Sequence, residues 1–241
     1  MRVDIVLLCG GKGTRFREVS GDKSPKSLYK VKGVELIQHT LDLLIGADIG
    51  RQILAVDYQS EQIISWAEKN IDNQHYQVSY QKEPGIPGAV KAAANYIRTE
   101  YFILCNTDEI RLNFSAAKFL EESQQYLNGR CAVMATAYCD NIYRHRKILT
   151  DASGKITRTE LKVEKYKETP QKRAIVNTGF LLIPKSYIFE LEENANNDWS
   201  SIIDPLVSQA RLYSVVNSNV EYYNVGTREE YEEAARITSE A

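Results

Sequence analysis

The sequence predicts an α/β protein built on a mostly parallel sheet, with a second half richer in strands. Three observations predict it. Short apolar runs alternate with helical patterns through residues 1–112, a glycine-rich loop follows directly on the first run, and after residue 127 strand-like runs and turn signals take over. Strands and helices alternating at these intervals are the pattern of parallel strands joined by right-handed crossovers. No linker, internal repeat or low-complexity segment divides the sequence, so one domain over 1–241 is expected.

The elements follow in order. Residues 3–9 are an apolar run, expected as a buried strand that ends at Gly10 and Gly11. Residues 34–45 carry Leu36, Ile37, Thr40, Leu41, Leu43 and Leu44 at mostly helical spacing; 53–56 make the next strand and 61–69 the next helix. In 76–80, Tyr76, Val78 and Tyr80 alternate as three inward side chains of a strand should. Residues 89–97 are alanine-rich and helical, 101–105 are another buried strand, and 114–127 read as a helix. The later strands are expected over 131–138, 147–149, 155–161 and 175–183, punctuated by turns such as Asp151-Ala152-Ser153-Gly154. Residues 162–173 are basic and read as exposed or ligand-facing. Helices over 201–210 and 228–237 complete the pattern, the last charged and amphipathic.

Composition narrows the function classes. With 43% hydrophobic and 26% charged residues, the chain has the mix of a soluble folded protein. Lys and Arg number 30 against 32 Asp and Glu, a net charge of −2 that speaks against bulk capture of nucleic acid or an anionic membrane and leaves room for a local basic site. No stretch approaches the ~20 apolar residues of a membrane-spanning helix, and the first apolar run is too short for a signal peptide. A cytoplasmic location is the expectation. Cys9, Cys105, Cys131 and Cys139 form no CxxC pair, and the three histidines do not cluster, which argues against structural zinc and disulfides.

The chemistry is concentrated in Gly10-Gly11-Lys12-Gly13-Thr14-Arg15-Phe16 and the downstream Pro25-Lys26. This loop leaves a strand where open α/β sheets bind ligands. Its glycines let backbone N–H groups converge on an anion with no Cβ in the way, and Arg15 and Lys26 bring two cations. A phosphate-rich ligand is the natural partner. Rival loops fail: GxxxxGK[ST] is absent, and GxGxxG would need glycine where Phe16 stands. No convincing Ser/His/Asp or Cys/His set occurs.

Together these residues resemble the GGxGTR(L/F)…PK signature of the sugar-1-phosphate nucleotidyltransferases, with the short heptose- and mannose-1-phosphate guanylyltransferases nearest in length. Further matches occur in order: Glu83-Pro84-Gly85-Ile86-Pro87-Gly88-Ala89, Asn106-Thr107-Asp108, Glu164-Lys165, Val176-Asn177-Thr178-Gly179-Phe180 and Tyr223-Asn224-Val225-Gly226-Thr227. The resemblance implies a Rossmann-like three-layer α/β/α fold with a mixed, mostly parallel sheet, nucleotide-diphospho-sugar transferase-like, with 1–112 as the nucleotide half and 113–241 as the sugar-phosphate half. It implies that a nucleoside triphosphate and a sugar 1-phosphate react to give a nucleotide sugar and pyrophosphate. Arg15, Lys26 and Asp108 would be catalytic. Cys9, Gly10, Gly11, Gly13, Thr14, Arg15, Gly85 and Gly88 would bind nucleotide, and Glu164, Lys165, Asn177 and Gly179 the sugar phosphate. Asp108 and Asn224 would hold Mg²⁺ or Mn²⁺. Enzymes of this kind are often homodimers.

Three departures stand out. Asn224 occupies the place where the family supplies a second metal carboxylate, the Arg15–Pro25 spacing is longer by one residue, and Ile86-Pro87 replace a threonine and a small residue. Guanylyl transfer to a heptose or mannose 1-phosphate is the first reading. A cytidylyltransferase for a non-sugar phosphate and a weakened nucleotide-binding homologue are the alternatives, and Lys162, Lys165 and Lys167 compete for the acceptor phosphate.

Overall fold

The computed structural model describes residues 1–11, 24–139, 145–160, 173–192 and 197–237. Strand β1 (Val3–Leu8) lies between β4 (Ile49–Val56) and β6 (Tyr101–Asn106), parallel to both, and β5 (Tyr76–Tyr80) adds to β4, also parallel. The long strand β11 (Ala174–Pro184) joins β6 antiparallel. Beyond it the sheet branches to β9 (Lys147–Thr150) with β10 (Ile156–Glu160), and to β8 (Ala132–Cys139) with β12 (Leu212–Asn217). Among the described residues this makes one nine-stranded α/β sheet with a parallel centre.

Alternation of side chains along the central strands makes two cores, one on each face. Ile5, Leu7, Leu54, Val56, Ile103 and Cys105 pack on helices α1 (Leu36–Asp42), α2 (Ser60–Asn70) and α4 (Ala116–Ser123). Val6, Ile53, Ala55, Phe102 and Leu104 pack on α3 (Gly85–Ala93) and α5 (Ser200–Ser208). A third cluster sets α6 (Arg228–Ile237) over Tyr29, Val31, Leu36 and Ile110. No helix among the described residues is long and apolar enough to cross a membrane.

Several elements differ from the sequence expectation. The helix expected over 34–45 starts at Leu36, because Val34–Glu35 (β3) pair with Lys30–Val31 (β2) across a turn at Lys32 and Gly33, whose φ values are 55° and 82°. Two successive positive φ values are a hairpin turn ordinarily signalled by Asn-Gly, and Lys-Gly hides it. The helix expected over 89–97 begins earlier, at Gly85, so the second glycine segment is a helix N-terminus rather than a loop. Tyr80, expected inward, is 60% exposed, while neighbouring Ser79 is buried. Two short strands that the apolar pattern did not mark, β7 (Glu109–Leu112) and β13 (Glu221–Asn224), pair antiparallel and set Asn224 opposite Glu109.

Candidate active site

The C-terminal ends of β1, β4 and β6 open into a cleft of about 380 Å³ lined by Gly10, Gly11, Lys26, Asp57, Gln81, Gly85, Asn106 and Asp108. Chain ends of parallel strands are where such sheets receive ligands. Gly10 is needed for closeness: a Cβ there would stand 3.1 Å from that of Asp57. Gly85, at φ +81°, opens α3 toward the cleft, and a Cβ would fall 2.4 Å from the Asn197 Cα. The Gln81 amide donates to the carbonyls of Glu83 (2.6 Å) and Gly85 (2.7 Å), which pins this segment beside the cleft.

Lys26 and Asp108 meet in the cleft, Nζ to Oδ2 at 2.5 Å. A polar relay places them. Thr107 Oγ1 donates to the Leu8 carbonyl (2.8 Å) and lies 3.0 Å from Ser27 Oγ, which in turn donates to the Cys9 carbonyl (3.3 Å). The residues next to Asp108 and Lys26 are therefore tied to one another and to β1. Burial works to raise the Asp108 carboxyl pKa, but the Lys26 ammonium outweighs it and holds the group below the ordinary carboxylate value. Asp108 keeps 35% of its side chain exposed, so the carboxylate is charged and accessible.

A second cavity of about 470 Å³ shares Asn106 with the first and adds Glu109, His145, Arg146, Asn177, Gly179, Asp198, Trp199, Tyr222 and Asn224. Its floor is a buried ion pair. Arg111 donates to Glu109 Oε2 (2.5 Å) and to the Thr178 carbonyl (2.6 Å), and Asn106 Nδ2 donates to Glu109 Oε1 (2.9 Å). Gly179, at φ +64°, closes over this pair; a Cβ would come within 2.1 Å of Glu109 Oε2. Asn177 Oδ1 accepts from the Gly179 amide (2.8 Å) and shapes the kink in β11. Burial raises the Glu109 carboxyl, with Arg111 working against it; burial and the Glu109 charge push the Tyr222 phenol well above its usual value.

Thus Gly10, Gly11, Lys26, Gly85 and Asp108 share the first cavity, and Asn177, Gly179 and Asn224 the second. Gly13, Thr14, Arg15, Glu164 and Lys165, like Lys162 and Lys167, lie outside the described residues. Cys9, read as nucleotide-binding, is fully buried behind the cleft: its amide donates to the Ala55 carbonyl, and burial pushes its thiol up to about 12. Gly88 is a packing glycine inside α3, where a Cβ would sit 2.1 Å from the Glu83 carbonyl oxygen. At the late turn it is Gly226 that lies at Lys26, where a Cβ would stand 3.8 Å from Nζ, while Asn224 lines the second cavity beside Glu109.

Sequence reasoning missed Arg111, Arg146, Asn197 and Trp199. They carry no motif, and contacts such as Arg111 with Thr178, Arg146 with Asp204 and Asn197 with Ile86 join residues distant in the chain.

Among the described residues no group of three or more His, Cys, Asp and Glu converges. A hard divalent ion that keeps water and phosphate oxygens needs only one or two protein carboxylates. Asp108, accessible and ionised beside Gly11, fits that demand.

The family model for nucleotidyl transferases matches residues 4–241. The bifunctional protein GlmU of Marinomonas sp. is 27% identical over 191 residues, 78% of this chain and 39% of that protein; with the GlmU of Geobacillus sp. it shows that the chain spans about 40% of the length of these relatives. The D-glycero-alpha-D-manno-heptose 1-phosphate guanylyltransferase of Campylobacter jejuni is 25% identical over 191 residues, covering 78% of this chain and 80% of that one. Among solved structures, HddC from Yersinia pseudotuberculosis superposes with a TM-score of 0.78 at 25% identity, over 98% of this chain and 99% of the other.

Proposed function

We propose, from the premise that this chain belongs to the nucleotidyl transferase family, that it joins a nucleoside triphosphate to a sugar 1-phosphate and releases pyrophosphate. One observation supports the reading: two cavities meet at Asn106, and the Lys26–Asp108 pair stands in the first of them, beside that junction. A phosphate lying in the second cavity can therefore reach the α-phosphorus of a triphosphate lying in the first.

In this reading Gly10 and Gly11 admit the triphosphate against the backbone, and Arg15 meets its outer phosphates. Lys26 neutralises the α-phosphate as negative charge builds during in-line attack. Its own charge is balanced by Asp108 until substrate arrives, so the ammonium stays fixed rather than sampling solvent. The sugar phosphate sits over Asn177 and Gly179, with Glu164 and Lys165 as further contacts. Asp108 is the residue that would hold Mg²⁺, which when bound supplies charge neutralisation at the phosphates. Asn224 is proposed as a contact of the second cavity more than as a metal ligand. Guanylyl transfer to a heptose or mannose 1-phosphate is the preferred pairing, supported by the relative from Campylobacter jejuni that is named for that activity.

The test is pyrophosphate release with ATP, CTP, GTP, UTP or dTTP and a panel of sugar 1-phosphates in Mg²⁺, beside an Asp108→Ala control. Release with one triphosphate, dependent on a sugar 1-phosphate and lost in the control, is expected. Release with phosphocholine or another non-sugar phosphate would favour the cytidylyl alternative. Silence accompanied by tight triphosphate binding would sink the transferase reading in favour of a binding protein.

A further inference from the structure

We propose that Arg146 determines acceptor specificity by presenting two parallel N–H donors to adjacent hydroxyl groups on the uncharged polyol part of a polyol phosphate; that the polyol phosphate is the acceptor rests on the transferase reading above. Arg146 immediately precedes β9, and the pairing of Lys147 with Val176 sets it beside Asn177 across the ladder. Its side chain is only 12% exposed and lines the second cavity. Nη1 donates to Thr159 Oγ1 (2.9 Å) and to Asp204. Nε and Nη2 have no hydrogen-bond acceptor among the described residues. A guanidinium edge held in place by Thr159 and Asp204, with two N–H groups open to the cavity, is a ready-made donor pair for two ligand oxygens.

The position says which end of the acceptor it meets. Asn106 marks the junction with the nucleotide cleft, and a Cβ on Gly179 would lie 2.8 Å from its Nδ2. Asn177 is two residues further along β11, and Arg146 lies across from it. A phosphate reacting near Asn106 therefore leaves Arg146 to the distal part of the molecule.

Charge says what that part is. Asp204 balances Arg146 and Arg111 balances Glu109, which leaves Asp198 on the cavity wall, with His145 nearby. Among the described residues a second acidic group would find no uncompensated cation lining the cavity, and it would face Asp198. A cationic headgroup would face the guanidinium and leave its N–H groups unmet. Hydroxyls suit both neighbours: their oxygens accept from Arg146 and their hydrogens can be given to Asp198. Trp199 offers an apolar wall to the C–H face of a ring.

The experiment is calorimetric titration of the full chain, without triphosphate, using mannose 1-phosphate, glucose 1-phosphate, their monodeoxy forms, glucuronic acid 1-phosphate, phosphocholine and inorganic phosphate. For the better sugar phosphate, Arg146→Gln is expected to weaken binding about tenfold to a hundredfold, the range for a hydrogen bond to a charged group. Inorganic phosphate should bind unchanged. One monodeoxy form should be weakened in the wild type and lose nothing further in the variant. Arg146→Lys keeps the charge and the Asp204 contact, and should lose the sugar as the glutamine variant does. Tighter binding of phosphocholine or of the glucuronic acid compound, equal loss of sugar and inorganic phosphate, or no sugar binding at all would overturn the proposal. Sugar binding through Arg146 without pyrophosphate release would overturn the transferase reading alone.

Discussion

Lys26 and Asp108 hold each other at 2.5 Å in the first cleft, each balancing the other's charge. Lys26→Met is expected to lower kcat by on the order of 10²–10³, the usual loss when a preorganised donor at a developing oxyanion is removed. The stability loss should be about 1–2 kcal/mol, below that of a fully buried pair because Asp108 is partly solvated. Pyrophosphate release and urea melts on the same preparation check both. The thiols make a second residue-level prediction. Burial pushes Cys9 and Cys105 from 9.0 up to about 12. Their folded pKa values are raised, so the stability they contribute is whole below about pH 9 and declines as pH rises from there toward 12. In the native protein a thiol reagent at pH 8 should leave both unlabelled, and in guanidinium it should label both. Labelling of Cys9 in the native state would contradict its place behind the cleft. The residues legible in the sequence were those whose chemistry is local: glycines at a strand end, a lysine after proline, an aspartate after a strand. Arg111 and Arg146 were not legible, because each takes its meaning from partners such as Thr178 and Asp204 that only the fold brings near.

At the scale of elements, the β7–β13 ribbon and the kink of β11 are held by one buried pair. Arg111→Met leaves Glu109 buried without its cation and should cost about 3–5 kcal/mol. Adding Glu109→Gln removes the orphaned charge, so the double variant should recover at least half of that loss in urea melts. Additive losses would mean that the pair does not act as a unit. Sequence pattern located the central strands and most helices because each carries a full apolar face. The two-residue strands β2 and β3 and the ribbon strands β7 and β13 escaped it because they are short and mix polar with apolar residues. Their existence depends on pairing across the fold, which local periodicity does not encode. The start of α3 was misplaced for a related reason: Gly85-Ile86-Pro87-Gly88 reads as a loop until the contact of Gly85 with Asn197 makes it a helix entry.

Over the whole molecule, the parallel strands contributed by residues 1–106 and the strands contributed by 132–217 meet along a single line, where β11 pairs with β6. The first cavity lies on the side of the parallel strands and the second reaches β11 at Asn177 and Gly179, and the two meet at Asn106, the last residue of β6. The same seam sets the order of events during folding. Strand β6 is apolar throughout Tyr101, Phe102, Ile103, Leu104 and Cys105, and its partner β11 is separated from it by β7, α4, β8, β9 and β10 in sequence. A folding chain that has assembled β1, β4, β5 and β6 presents a bare, sticky strand edge until β11 arrives, and non-local pairings of this kind form slowly. Refolding yield from denaturant should therefore fall as protein concentration rises from below 1 μM into the range of tens of micromolar, while the unfolding rate stays the same, since transient edges are captured by neighbours at about μM–mM concentrations. A concentration-independent yield would mean that β11 docks early. The strand that carries Asn177 and Gly179 to the second cavity is thus also the guard that keeps the nascent chain from meeting its own copies.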